Sequence, residues 1–264
     1  MLRKLFHGIE LNVEDLLFLE SFQIGYLPDR APRQELAAIL RATPVIRRYL
    51  VSMCPSIVSF VDEILREENS SNKTIEQSCD DLLWEIADLI IYSKYPEAYD
   101  KNVEFTWEIN EIVPPQYLQG KVIIDTGAGP GKLSFLLAQF AQTVFAVEPT
   151  SGFRRLIKQK TLERNITNVY TVDGVLDSLP FPDHSVDYLM TSQAIGWNLQ
   201  AELSEVERVL KPDGCAIHLF SDADAASESV KGIHDILTAS KYKCTRIKNA
   251  KGTKLKYQMT MKGL

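Results

Sequence analysis

Cysteine is scarce and scattered in this 264-residue chain. Cys54, Cys79, Cys215 and Cys244 stand far apart, and no C-x-x-C or mixed His/Cys cluster exists. That spacing excludes a zinc ribbon or finger, predicts no metal site, and suits free thiols in a reducing cytoplasm. Long apolar runs are also missing. No stretch of about 18 apolar residues is available to cross a bilayer. The segment Met1–Glu20 lacks the apolar core of a secretory leader, since Glu10, Asn12, Glu14 and Asp15 interrupt it. A cytoplasmic protein with no membrane partner is the expectation. Internal repeats are absent too. With 45% hydrophobic and 24% charged residues, the composition is that of a folded globular protein with room for one large domain or two smaller ones.

Charge is uneven along the chain. Residues 1–120 carry 11 basic and 20 acidic side chains, whereas residues 121–264 carry 18 and 15. The acidic first part argues against a nucleic-acid footprint there. At the other end, Lys241, Lys243, Arg246, Lys248, Lys251, Lys254, Lys256 and Lys262 occur with no acid among them. Such a segment could meet RNA phosphates. The preferred reading is that its lysines protect an edge hairpin from aggregation.

The informative stretch is Val122–Ser134, VIIDTGAGPGKLS. Val122, Ile123 and Ile124 form a β-rich run ended by Asp125. Gly127, Gly129 and Gly131 follow, and then Leu133, Leu136, Leu137 and Phe140 recur at helical spacing. Strand, glycine turn and helix is the form that grips a nucleotide-like ligand at the carboxyl end of a parallel strand. Two common phosphate loops are excluded. A dinucleotide fingerprint starting at Gly127 needs Gly or Ala where Lys132 stands. A P-loop ending in Gly131-Lys132 needs Gly at Thr126 and Ser or Thr at Leu133.

Upstream, residues 1–113 read as a helical domain. Leu16, Leu17, Leu19 and Phe22 give an apolar face to a helix over 11–22 that Asn12 can cap. Pro32, Thr43-Pro44 and Pro55 open helices over about 33–42, about 45–53 and up to about Glu67. Asn69-Ser70-Ser71-Asn72 is a loop. Thr74 then caps one long helix with Ile75, Cys79, Leu82, Leu83, Ile86, Leu89 and Ile90 on one face. It ends near Tyr92, because Tyr95-Pro96 disfavours continuation. Pro114-Pro115 and Gly120 mark the boundary to a second domain over 114–264.

In that domain, strands over Val122–Thr126, Thr143–Val147, Val169–Val172, Val186–Thr191 and Cys215–Phe220 alternate with helices. Lys211-Pro212-Asp213-Gly214 reads as the stop before the fifth strand. Asp222 or Asp224 can cap a helix running to about Ser240. Tyr242–Lys248 and Lys254–Met261 read as a hairpin joined by Asn249–Thr253. The expected fold class is α/β: a Rossmann-like, seven-stranded, mostly parallel sheet with an antiparallel C-terminal hairpin, plus an N-terminal all-α domain.

The segment DTGAGPG resembles motif I of the class I S-adenosylmethionine (SAM) methyltransferases. VFAVEP puts Glu148 at the end of the second strand, where that family keeps an acid for the ribose hydroxyls. A carboxylate can accept two charge-assisted bonds from a vicinal diol. Leu179-Pro180-Phe181, Ser185 and Asp187 are similar to a stretch of the ubiquinone/menaquinone-type small-molecule group. VERVLKPDGCAIHLF resembles the family's helix, K-P-x-G turn and fifth strand. The resemblance covers roughly residues 110–264 and implies a SAM-dependent methyltransferase. The cofactor-binding residues it implies are Asp125, Thr126, Gly127, Ala128, Gly129, Gly131, Glu148, Pro149, Asp173, Gly174, Val175, Ser192 and Gln193. Asp173 itself, or backbone groups of Gly174-Val175, would meet the adenine edge. Backbone carbonyls around Thr126–Gly127 would take the methionine amino group, and the helix start near Lys132 its carboxylate. Asp187 is read as fixing a local turn or strand end.

The expected activity is in-line transfer of the SAM methyl to a small-molecule acceptor, driven mainly by proximity and orientation. A macromolecular methyltransferase acting on RNA or protein, and a non-catalytic SAM-binding protein, are the alternatives. No N-P-P-[YF] and no acidic pair follows the fourth strand, where TSQA stands. Trp197, Trp107 and Tyr99 are the substrate-side candidates. The helical domain is expected to act as a lid or in dimerisation, as a homodimer. Among His7, His184, His218 and His234 none is assigned as a base, and His218 is read as structural.

Overall fold

The computed structural model describes residues 2–68, 72–221, 228–249 and 252–261, and the chain divides into two units, Met1–Val103 and Glu104–Leu264. The first unit is helical. Arg33–Ala42, Pro44–Met53, Val58–Arg66 and Ile75–Glu85 are α-helices whose buried faces meet around Leu36, Ile39, Leu50, Ile64 and Leu82. Burying such side chains contributes about 1.5–3 kcal/mol each. Thr74 caps as its sequence predicts: its hydroxyl accepts from the Gln77 amide, while the Gln77 side chain accepts from the Thr74 amide.

Two helices differ from expectation. The segment 11–22 is not one helix but a 3₁₀ turn, Val13–Phe18, followed by a short helix, Ser21–Ile24. Leu16 and Leu19 are both fully buried, and a three-residue repeat serves that spacing better than an α-helix. The long helix after Thr74 breaks at Ile86, giving Ile75–Glu85 and Ala87–Lys94. The two sides of the break serve different contacts. Ile86, Leu89 and Ile90 face the main core, while Ala87 and Ile91 pack on Phe6. Residues 69–71 of the expected loop lie outside the described residues.

The second unit starts at Glu104, ten residues before the boundary read from Pro114-Pro115. Those prolines only open a 3₁₀ turn, Pro115–Tyr117. The preceding Trp107, Ile112 and Val113 are buried in the same cluster as Ile123, Leu133, Met190 and Leu219. Seven strands form one sheet: β1 Val122–Thr126, β2 Thr143–Val147, β3 Val169–Val172, β4 Val186–Ser192, β5 Leu210–Phe220, β6 Lys243–Asn249 and β7 Gly252–Thr260. Their order is β3-β2-β1-β4-β5-β7-β6. The first five pair in parallel; β7 runs antiparallel to β5 and β6 to β7. Helices Lys132–Ala138, Ser151–Glu163, Leu199–Val209 and Glu228–Ala239 belong to this unit.

Lys211-Pro212-Asp213-Gly214 is not a stop. Leu210 already pairs with Val186, and the register jumps to Tyr188 opposite Cys215, so the four residues bulge within β5 with Asp213 at φ 67°. At the same end of the sheet the Asp187 carboxylate accepts from the Val122 amide and pairs with Lys121 and Lys211. Against the desolvation of its partial burial, these donors hold its carboxyl below the usual range. The expected caps Asp222 and Asp224, and residues 250–251 of the hairpin loop, lie outside the described residues. No helix among the described residues is long and apolar enough to cross a membrane.

Candidate functional site

The neighbours of β1 are β2 on one side and β4 on the other, so the strand order reverses there. In an open α/β sheet this opens a crevice outside the carboxyl ends of the strands, where ligands bind. The glycine turn occupies that point. Gly127 has φ 66°, and a Cβ on it would lie 2.2 Å from the Ala194 Cβ in the loop after β4. Gly129 has φ 52°, but a Cβ there would meet nothing within 4 Å. The first glycine is required by the protein's own packing; the second forms a crest open to a ligand. Gly131 precedes helix Lys132–Ala138, and the Ala128 amide donates to the Val147 carbonyl at 3.1 Å, stitching the turn to the end of β2.

Two acids back this turn. Glu148, at the end of β2, is 5% exposed. One of its oxygens accepts from the Gly129 amide at 2.8 Å and the other from the Thr150 amide at 2.9 Å. Burial pushes its carboxyl upward, and these amides oppose the shift. Asp125, at the end of β1, is 1% exposed and accepts from the Ser134 hydroxyl at 2.5 Å. Desolvation raises it to about 7. Among the described residues, three buried polar side-chain atoms lack a partner: Asp125 Oδ1, Thr126 Oγ1 and Trp107 Nε1. Unpaired buried groups of this kind are costly in a folded chain, and Asp125 Oδ1 and Thr126 Oγ1 stand at the carboxyl end of β1, where a ligand can satisfy them.

The remaining expected cofactor residues sit at the neighbouring strand ends. Asp173 is exposed and paired with Arg154 at 3.0 Å. Arg154 also donates to the carbonyls of Glu148 and Pro149, tying the ends of β2 and β3 together. Gly174 packs on Pro180 and Val147, and Val175 bridges to Ser178. Ser192 ends β4, and Gln193, at φ 59°, donates its side-chain amide to Ser221. Sequence reasoning missed Ser134, Thr150 and Arg154. Each lies at or near a helix start next to a recognised motif; Ser134 and Thr150 serve the acid just before them, and Arg154 reaches Asp173 because β2 and β3 are neighbours.

The substrate-side candidates diverge. Tyr99 belongs to the helical unit, where it packs on Phe6 and Tyr92. Trp107 lies in the sheet unit, 5% exposed, with the Lys254 ammonium 5.1 Å from its ring centre. Trp197 stands 64% exposed in the loop after β4. His218 is fully buried with Nδ1 3.0 Å from the Thr191 hydroxyl and Nε2 3.2 Å from that of Tyr242. Desolvation lowers it to about 3, so it stays neutral. His184 Nδ1 meets the Leu210 carbonyl and His234 Nδ1 the Tyr257 hydroxyl.

The residues present fit SAM as a ligand. An open glycine crest, a carboxylate at the end of β2 and unpaired polar atoms at the end of β1 match its ribose diol and amino-acid end. Residues 124–218 match the family model of a methyltransferase domain. Over 94 residues the chain is 31% identical to the uncharacterized methyltransferase YcgJ of Bacillus subtilis (strain 168), covering 35% of this chain and 37% of that protein. Over 134 residues it is 30% identical to malonyl-[acyl-carrier protein] O-methyltransferase of Yersinia pestis, covering 49% and 48%. The chain therefore spans less than half the length of these two relatives. A SAM dependent methyltransferase from Aquifex aeolicus shares the fold, with a TM-score of 0.50 at 16% identity, over 63% of this chain and 98% of that one. The crevice at the end of β1 and the strand order around it agree with the matched residues, and residues 124–218 are identified as a methyltransferase domain on a SAM-dependent methyltransferase fold.

Proposed function

We propose that the chain transfers the methyl group of SAM to a small-molecule acceptor by in-line displacement. The observation that supports this most is the pairing of Glu148 with the open crest at Gly129: one carboxylate oxygen anchors the turn, and its remaining lone pairs can accept from a diol. When bound, SAM supplies a methyl already activated on its sulfonium. Glu148 would hold the ribose hydroxyls. Asp125 Oδ1, Thr126 and the backbone of Gly127 would hold the amino-acid end, and Gly174-Val175 or Asp173 the adenine. Ser192 and Gln193, at the start of the loop after β4, would face SAM with the acceptor beside it. The work left to these residues is orientation and exclusion of water, which together contribute about 7–11 kcal/mol in well-aligned reactions. No histidine is assigned as a base, since His218 is neutral with both ring nitrogens engaged.

A small acceptor is supported over RNA by two of the C-terminal lysines, which the fold uses internally while Lys241, Lys243, Arg246 and Lys248 stay exposed. Lys254 is 2% exposed and donates to the Thr106 carbonyl and to Glu111; Lys256 donates to the Ile112 carbonyl. Both are spent inside the unit. The four free cysteines suit the reducing cytoplasm proposed as its location. Calorimetric titration should give SAM binding with Kd below about 1 mM. Methyl-labelled SAM, offered with a metabolite panel and separately with malonyl-[acyl-carrier protein], should then label a small molecule or the small acyl group that the carrier bears. Absence of both heat and thermal shift would overturn the proposal, and label on RNA alone would redirect it to a macromolecular acceptor.

A further inference from the structure

Glu202 has no part in the cofactor set described above. It lies in the first turn of helix Leu199–Val209 and is 3% exposed. Its carboxylate nevertheless reaches back along the chain to three consecutive amides. One oxygen accepts from Gly196 at 2.7 Å, the other from Trp197 at 3.0 Å and from Asn198 at 3.2 Å. A buried carboxylate bonded this way holds the backbone that surrounds it, because freeing any one amide leaves charge and donor unsatisfied.

These three residues are the outer half of the loop after β4. Its inner half places Ala194 against Gly127, at the glycine turn itself. Gly196 adopts φ 118°, and a Cβ on it would lie 2.4 Å from Ile233 Cδ1, so the loop is wedged between the carboxylate and helix Glu228–Ala239. The same loop carries Trp197, whose large apolar surface is left 64% exposed. A loop with a pinned backbone and an exposed aromatic side chain beside the crevice is preorganised. The ordering is done on folding, not on binding.

We propose that Glu202 is a positioning residue: it fixes residues 194–198 in the shape that walls the SAM crevice against the glycine turn and presents Trp197 to the acceptor. The proposal builds on SAM being the ligand of that crevice. Glu202→Gln keeps the side-chain length but turns an accepting oxygen into an NH2 group facing backbone N–H groups. Well below the melting temperature of the variant, hydrogen exchange at Gly196, Trp197 and Asn198 should accelerate about tenfold or more. SAM affinity, read by calorimetry on the full chain, should fall about five- to twentyfold. Amides of the core-facing turn around Leu203 and Val206 should stay protected. If Glu202→Gln does not fold, Glu202→Asp, one methylene shorter, gives the same two readouts.

A pure helix-end role would lower the melting temperature and leave SAM affinity untouched. SAM affinity within twofold of wild type, or unchanged loop exchange, would therefore overturn the role of Glu202. Failure of the wild-type chain to bind SAM would instead overturn the methyltransferase proposal itself.

Discussion

Gly127 and Gly129 share a left-handed backbone and differ in what a methyl group would meet. At Gly127 it meets Ala194 at 2.2 Å; at Gly129 it meets nothing within 4 Å. Gly127→Ala should lose about 2–4 kcal/mol of stability in urea unfolding, from backbone strain plus overpacking. Gly129→Ala should lose only about 1–2 kcal/mol, from strain alone, yet weaken SAM at least as much, because its Cβ points where the ligand approaches. Equal stability losses would contradict the distinction. Glu148→Ala should weaken SAM binding, measured by calorimetry, by about tenfold or more, since charge-assisted bonds contribute about 1.5–3 kcal/mol. Asp125 gives a pH signature. Its carboxyl is raised from 3.8 to about 7, so between those values the folded chain keeps a proton that the unfolded chain releases. That stabilising contribution is full below 3.8, declines as pH rises, and is gone above about 7. Asp125→Asn should remove the slope: the melting temperature of the variant minus that of wild type should become more positive as pH rises across this interval. The glycine and acid positions are legible in the sequence because D-T-G-A-G-P-G is a local pattern. That Gly127 answers to Ala194 is not, because they stand 67 positions apart and only the pairing of β1 with β4 brings them together.

Segment 104–113 is an element whose allegiance is set by side chains far along the chain. Lys254, on β7, donates to Thr106 and Glu111 and lies over the Trp107 ring, while Lys256 donates to Ile112. The Lys254–Glu111 pair has side chains only 3% and 19% exposed. Removing one member of such a pair strands the other in a low-dielectric site. Lys254→Ala should cost about 3–5 kcal/mol in chemical denaturation, and Lys254→Met combined with Glu111→Gln much less. Similar losses for the single and the double variant would argue against an ion-pair origin. This contact also accounts for the misplaced boundary. Pro114-Pro115 is a strong local punctuation mark, but the apolar residues before it had a sheet face to cover. The same competition split the helix after Thr74 at Ile86 and turned Lys211–Gly214 into a bulge: local signals mark these positions, and burial decides what the chain does there.

The molecule as a whole has two sets of cores that do not share residues. One comprises clusters drawn wholly from residues before Glu104, and the other comprises clusters drawn wholly from residues after Val103. A fragment of residues 104–264 should therefore fold alone with a cooperative thermal transition and native-like dispersion of its amide resonances. A fragment of residues 114–264, which lacks Trp107, Ile112, Val113 and the Glu111 partner of Lys254, should melt lower or fail to fold. Identical melting of the two fragments would place the boundary where the prolines suggested.

What the sequence determined by itself is the succession of elements and the chemistry of the turn. Strand, glycine turn, helix and terminal hairpin follow from periodicity, glycine and proline, which act over a few residues. So do the five parallel strands and the acid at the end of the second. Tertiary structure decided the rest. It left Asp125 Oδ1 and Thr126 Oγ1 unpaired, clamped Glu148 between the amides of Gly129 and Thr150, and joined Lys254 to Glu111 across 143 positions. It also bent Glu202 back onto the loop beside the turn. Lys254 and Glu111 meet only because of which strands become neighbours; Glu202 and its loop are close in sequence, but which amides its carboxylate takes depends on how the loop packs between the glycine turn and helix Glu228–Ala239.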